Sequence, residues 1–279
     1  MLQNRLIVTK RSDKEKIYEN SKDKWIIELD GDKINNWDDF YDIMQKKIDV
    51  VDYNSHYGRN GHTYDDFATD IELFNEIKKR KVKGIVIVLD YTDKFVKISE
   101  EEKGYIYFDI IFTLLLEWYR DLRIVYKQEK PTIDIEAYVL LSDDLLKTIP
   151  DYKNELIIGI ENDRKEIDGE FKDYHLIELE ALFETDMEHL KELREVKIDE
   201  ELISEIIREE KNNLFLKKMK EKIKNNIYQK IKVLILNSDN LRFTDRRSIL
   251  VDIVENVLIK EYGEGKEAKI YMIFSNEIL

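Results

Sequence analysis

An internal repeat runs through this chain of 279 residues. Residues 4–48 align without a gap on residues 154–198, and twelve of the aligned positions are identical. After a divergent middle, each part of the chain continues with an apolar run, a helical pattern and a second apolar run, in the same order. Self-similarity of this kind predicts two copies of one structural unit. We therefore expect a tandem duplication with its boundary near Pro150, which divides the chain into domains 1–149 and 150–279.

The pattern within each unit is typical of an α/β protein. A β-prone run at 25–29 is followed by an amphipathic helix that Asn36 caps, and the apolar run 84–89 is typical of a strand covered on both faces. A long helix then leads to the last strand, as in a β-α-β crossover. We expect each copy to be a small three-stranded parallel sheet packed with helices, plus an extra N-terminal edge strand around 6–8 or 156–160. One continuous sheet or a helical second half would show that the duplication interpretation is wrong, and a general likeness among α/β proteins is the alternative.

Charge and composition exclude several classes of protein. Acidic residues outnumber basic ones by 60 to 46, so we expect no direct contact with the phosphates of nucleic acid. Cysteine is absent, which excludes disulfides and thiolate metal ligands. No apolar run suits a membrane span or a signal peptide, so we expect a cytoplasmic protein that contacts no membrane. Half of the negative excess lies between Asp38 and Glu76, which favours a basic protein as the partner.

A specific motif follows the first predicted helix. It reads Tyr57-Gly58-Arg59-Asn60, and Asp66 comes six residues after Asn60. The motif lies between a strand–helix pair and a strand–helix–strand, and a motif gains meaning from such a context. Residues 24–143 thereby resemble the barstar family of ribonuclease inhibitors. Residues 150–279 then resemble a degenerate second barstar-like copy.

The resemblance implies a role for each residue of the motif. His56 and Tyr57 would contact the partner from the loop, Gly58 and Asn60 would shape the loop, and Asp66 would enter the active site of the nuclease. The other residues of the implied partner surface are His62, Asp65, Asp70 and Glu117.

The motif departs from the family pattern at two positions. After Asn60 the family usually has a large apolar residue and then an aspartate, whereas this chain has Gly61 and His62. One of the two expected acids is therefore missing. The resemblance implies an intracellular immunity protein or antitoxin that blocks a basic ribonuclease-type toxin, because carboxylates mimic the phosphates that such an enzyme binds.

Other interpretations of the same residues stay open. Asn60-Gly61 also suits a two-residue hairpin turn, and the acids that follow also suit the solvated face of an ordinary helix. A barstar-like unit could also serve in a non-inhibitory scaffold or a dimerisation protein, and a homo-oligomer is left open. His56, His62 and the nearby aspartates complete no known catalytic or metal site, so we expect no enzyme activity, no metal and no cofactor.

The second unit has no Tyr-Gly-Arg-Asn loop. A highly charged helical pattern over residues 199–226 takes its place, and His175 replaces Trp25 as a tolerated strand residue. Six apolar residues of this helical pattern predict one buried stripe: Leu202, Ile206, Leu214, Phe215, Met219 and Ile223. The second unit could buttress the first, form a dimer interface or bind a different ligand.

Overall fold

Within the residues that the structure describes, the fold is a mixed α/β architecture with one eight-stranded, mostly parallel sheet and few helices. The computed structural model describes residues 4–34, 36–47, 79–90, 134–142, 154–160, 164–181, 214–215, 217–238, 253–259 and 265–274. The strands are β1 (Asn4–Lys10), β2 (Trp25–Asp30), β3 (Gly84–Asp90), β4 (Asp134–Leu141), β5 (Asn154–Ile160), β6 (His175–Glu180), β7 (Lys230–Leu236) and β8 (Glu267–Phe274). The helices are α1 (Lys14–Asn20), α2 (Trp37–Lys47), α3 (Arg164–Gly169), α4 (217–224) and a π-helix (Ile253–Ile259). Short 3₁₀ turns span Arg11–Asp13 and Gly31–Lys33.

Several local expectations are confirmed. The predicted strands at 25–29 and 84–89 are β2 and β3, and β3 is buried along nearly its whole length. The side-chain oxygen of Asn36 accepts a hydrogen bond from the backbone N–H of Asp39 at 2.9 Å, which is the expected cap of α2. No helix within the described ranges is long and apolar enough to cross a membrane.

The order of strands corrects the expectation of two separate sheets. The sheet runs β2-β3-β4-β1-β5-β8-β7-β6, and each neighbouring pair is parallel except β1–β5, which is antiparallel. The extra N-terminal strands do pair at an edge of each three-stranded group, β1 beside β4 and β5 beside β8. The expectation of two separate sheets was wrong, because β1 and β5 also pair with each other. A free edge exposes unpaired N–H and C=O groups, and pairing the two N-terminal strands removes both edges at once.

The β1–β5 pairing is symmetric about its middle. Leu6 is opposite Leu156, and on either side of them Asn4 is opposite Ile158 and Val8 is opposite Asn154. At the repeat offset of 150, position 158 corresponds to position 8 and position 154 corresponds to position 4. The pairs 4–158 and 8–154 are therefore related by a two-fold axis, as in a contact between two identical chains. Outward from this joint, both halves present their first, fourth, third and second strands in that order.

One face of the sheet carries both α1 and α3. Ile17 of α1 packs with Val86, Val88 and Leu140. Ile167 of α3 forms a second cluster on the same side of the sheet, together with Ile157, Leu234 and Tyr271. The two clusters are thus separate cores on the two halves of one sheet.

The stripe predicted for the second unit is confirmed only in part. Phe215, Met219 and Ile223 are buried, whereas Leu214 is 51% exposed. Leu214 is one residue from Phe215, so it is rotated by about 100° around the helix axis and leaves the buried face. The stripe positions Leu202 and Ile206 lie outside the described residues.

Candidate functional site

The structure describes the frame of the sequence-predicted partner site but not the site itself. Its residues all lie outside the described ranges: His56, Tyr57, Gly58, Asn60, His62, Asp65, Asp66, Asp70 and Glu117. The frame consists of α2 before the motif and β3 after it. Strands β2, β3 and β4 lie side by side and parallel, as the interpretation of the first unit requires.

Two contacts hold the chain where it enters β3 after the motif. The guanidinium of Arg80 lies 4.1 Å from the ring centroid of Trp25, the first residue of β2. Lys83 donates its backbone N–H to the carbonyl of Asp23 at 3.0 Å, and its ammonium lies 2.8 Å from the Asp23 carboxylate. The hydrogen bond from Lys83 holds the pKa of Asp23 below its ordinary value. The segment that carries the motif therefore returns to the sheet at the amino ends of β2 and β3.

A row of alternating charges crosses the centre of the sheet. Arg5 and Glu136 are register partners on β1 and β4, and Glu155 and Lys269 are register partners on β5 and β8. Arg5 and Glu155 join the two pairs across the β1–β5 joint, with Nη1 and Oε2 3.8 Å apart. We call these four residues the charged row. The repeat makes Arg5 equivalent to Glu155, so the two halves carry opposite charges at the same position.

Lys269 is the most deeply buried member of the charged row. Its side chain is 3% exposed, and its ammonium lies 3.2 Å from carboxylate oxygens of both Glu155 and Glu267. The other carboxylate oxygen of Glu155 is buried and accepts no hydrogen bond from the described residues. Lys232 lies nearby and donates to the carbonyls of Ile167 and Glu170 at 3.1 and 3.0 Å. An ammonium at that place satisfies carbonyls at the C-terminal end of α3.

Phenol groups complete the polar surroundings of the charged row. Tyr138 donates to Glu136 at 3.2 Å, and Tyr271 donates to Glu170 at 2.9 Å. Burial raises the pKa of both phenols well above its ordinary value, and the neighbouring carboxylates raise it further. Both phenols therefore act as hydrogen-bond donors rather than as bases. Burial also raises the pKa of Asp134, which lies 3.7 Å from Lys24.

The charged row makes structural contacts and forms no site for a metal. Within the described residues, no group of three His, Cys, Asp or Glu side chains could hold a metal ion. The buried ammonium groups are already engaged by carboxylates and carbonyls. Sequence reasoning missed this row, although a signal was present: Arg5, Glu155 and Lys269 each come directly before an apolar run.

The two halves also repeat a contact beside the sheet. Lys14 of α1 binds Glu28 of β2, and Arg164 of α3 binds Glu178 of β6 in the equivalent place. Tyr18 also donates to Glu28, at 2.7 Å. Burial opposes ionisation of Glu28, but the hydrogen bonds from Lys14 and Tyr18 outweigh it and lower the pKa of this carboxyl.

A groove of about 400 Å³ lies beside β6, the outermost strand of the second half. Residues 175–178, Lys222 and 225–228 line it, and we call it the β6 groove. The rings of His175 and Tyr228 stack in it with centroids 4.1 Å apart. Strand residue His175 therefore has a ring partner where its repeat equivalent Trp25 has an arginine.

Comparisons of this chain with models of protein families, with curated proteins and with solved structures find no match.

Proposed function

We propose that this chain is a cytoplasmic immunity protein or antitoxin that inhibits a basic ribonuclease-type toxin. The observation that carries the proposal is the Tyr57–Asn60 motif with Asp66 six residues later, placed between α2 and β3. Three parallel strands in the order β2-β3-β4 support it, because the resemblance to barstar implies such a sheet. The protein acts by binding and has no catalytic activity of its own.

The proposed mechanism is electrostatic mimicry. A nuclease active site holds phosphate with cationic side chains, so a carboxylate such as that of Asp66 forms charge-assisted hydrogen bonds there. The acidic residues around it steer a basic partner toward the correct face and accelerate association. Tyr57 supplies a rigid ring of the kind that anchors tight interfaces.

The proposal includes a tandem duplication with domains 1–149 and 150–279. Two observations support it: the equal strand order outward from the joint and the symmetric β1–β5 register. The repeated Lys14–Glu28 and Arg164–Glu178 contacts are a third. The continuous sheet is the outcome that was expected to contradict duplication. We keep duplication as part of the proposal because two repeated units with free edges also combine into one sheet when those edges pair.

Inhibition is tested with full-length protein and the small basic ribonuclease encoded nearest to its gene. We expect stoichiometric loss of cleavage of a fluorogenic RNA. Asp66→Ala should weaken binding by about 2–5 kcal/mol, mostly through faster dissociation, because it leaves partner cations buried and unpaired. This range is that of buried interfacial charge pairs in general, of which barnase–barstar is a known example.

Two further variants separate the roles of the acids. Asp70→Ala, at the rim, should slow association and reduce its dependence on salt. Glu166→Ala, at an exposed position of α3, is the matched control and should bind like the unaltered protein. If Asp66→Ala inhibits as well as the unaltered protein while a change in the second half abolishes inhibition, the site has been assigned to the wrong half.

A non-inhibitory scaffold is the second candidate function. The observation that favours it is the loss of one of the two expected acids at His62, next to Gly61. A scaffold would bind its partner without reducing ribonuclease activity, so the same titration separates the two functions. RNA cleavage by the purified chain itself, abolished by His56→Ala, would contradict both.

A further inference from the structure

The second half presents a basic surface on an acidic protein. Helix α4 carries five lysines and one glutamate, whereas the whole chain has a net charge of −14. Lys217, Lys218, Lys222 and Lys224 are exposed on this helix. Lysines so close together repel one another, and an anionic partner would relieve that repulsion.

The same surface exposes apolar side chains. Ile227 is 86% exposed, Tyr228 is 50% exposed and Leu176 is 43% exposed, and all three line the β6 groove. Leu214, at the start of the helical segment, is the remaining large apolar side chain that is exposed within the described ranges. Apolar side chains gathered beside a groove are typical of an interaction surface.

The charged residues that line the β6 groove are Lys222 and Glu178. The carboxylate of Glu178 is bound by Arg164 of α3, so it is already paired with a cation. The ammonium of Lys222 lies 3.2 Å from the backbone carbonyl oxygen of Glu178. A carboxylate is a stronger acceptor for an ammonium than a neutral carbonyl, so a partner carboxylate would compete well for Lys222.

We propose that the β6 groove and α4 bind an acidic peptide segment of a partner protein, with an apolar or aromatic side chain of the segment beside Ile227 and Tyr228. This goes beyond the proposed inhibition, since β6 and β2 are the two ends of the sheet, about 34 Å apart at the usual spacing between strands. Nucleic acid is disfavoured because the net charge of the chain repels it at longer range. A membrane is disfavoured because the apolar groups line a groove rather than a protruding face.

The test uses the full chain and a short fluorescent peptide rich in glutamate with a central Leu-Phe pair. Fluorescence anisotropy should show saturable binding that weakens as salt rises. A peptide with glutamine in place of glutamate and one with glycine in place of Leu-Phe should each bind at least about tenfold more weakly. Single-stranded oligothymidylate and phosphatidylserine vesicles are the competing probes.

Variants of the surface complete the test. Tyr228→Ala and the pair Lys218→Glu with Lys224→Glu should each weaken binding at least about tenfold, and the lysine pair should also reduce the salt dependence. Lys16→Glu, an exposed lysine of α1, is the matched control and should bind within about twofold of the unaltered protein. Far-UV circular dichroism checks that each variant folds. The proposal is overturned if the acidic peptide does not bind or if the glutamine peptide binds equally well. It is also overturned if oligothymidylate or the vesicles bind more tightly than the peptide, or if the surface is occupied by a second copy of the chain that the peptide does not displace.

Discussion

Replacing Lys269 with methionine should be among the most destabilising single changes in the sheet. The change keeps a long apolar stem but removes the ammonium that lies 3.2 Å from both Glu155 and Glu267. The site is 3% exposed, so water does not replace the lost cation. Removing one partner of a buried ion pair typically costs about 3–5 kcal/mol. Arg5 remains 3.8 Å from Glu155 and offsets part of the loss, so we expect about 3 kcal/mol.

Urea unfolding at neutral pH, followed by circular dichroism, measures this free energy. The matched control is Lys230→Met, which removes an ammonium 3.0 Å from Asp173 at an exposed position. Exposed pairs contribute at most about 1 kcal/mol, so the control should stay close to the unaltered protein. The double variant Glu155→Gln with Lys269→Met should be more stable than Lys269→Met alone, because it removes the buried negative charge of one of the two carboxylates that faced the ammonium.

Two results would refute the reasoning about the charged row. If Lys269→Met costs no more than Lys230→Met, burial does not strengthen this interaction. If the double variant is no more stable than Lys269→Met, the loss does not come from the buried negative charge of Glu155.

Three further predictions concern the frame of the fold. Arg5→Glu should cost about 1 kcal/mol more than Arg5→Met in urea unfolding, because it brings a third carboxylate to the two acids of the charged row. Gly84→Ala should lower the free energy of unfolding by about 3 kcal/mol or more, and with it the melting temperature, since a Cβ would lie 2.3 Å from the backbone oxygen of Asp134. Gly169→Ala is the control and should be tolerated, because a Cβ there meets nothing within 4 Å. Glu28→Gln should cost about 1 kcal/mol at neutral pH, after allowance for solvent at a partly exposed side chain. Because the native pKa of Glu28 is lowered, this difference should be present above about pH 4.3 and vanish as pH falls through the native pKa, which unfolding measured at several pH values will show.

The local elements of this protein follow from short-range pattern. The alternation in β2, the apolar run of β3 and the Asn36 cap of α2 each depend on residues a few positions apart, and all three appear where expected. Leu214 is the exception that shows the limit of such patterns. A stripe predicted from apolar spacing includes any residue near the correct angle, and the packing of the helix decides which of two adjacent residues is buried.

The candidate site divides differently between sequence and structure. The motif around Tyr57 and Asp66 is a sequence prediction that lies outside the described residues. The β6 groove could not be predicted, because Leu176 is far in the chain from Ile227 and Tyr228 and the three line one groove only in the folded chain. The lysines of α4 were visible as charges but could not be assigned to a common surface.

What the sequence determined by itself is the α/β class and the approximate positions of β2, β3 and the start of α2, because these follow from short-range pattern. What the tertiary structure decided is how the two segments that align at an offset of 150 are joined in one sheet. A strand pattern predicts that β1 and β5 each pair with a neighbouring strand. It does not predict which strand, because the backbone donors and acceptors are the same in every strand. The charged residues Arg5, Glu155 and Lys269 each stand at the start of an apolar run, where the sequence alone indicates no partner. The β1–β5 joint brings Arg5 close to Glu155, which Lys269 also contacts. Such contacts join residues more than 100 positions apart, so only the folded chain shows that each buried charge has a partner.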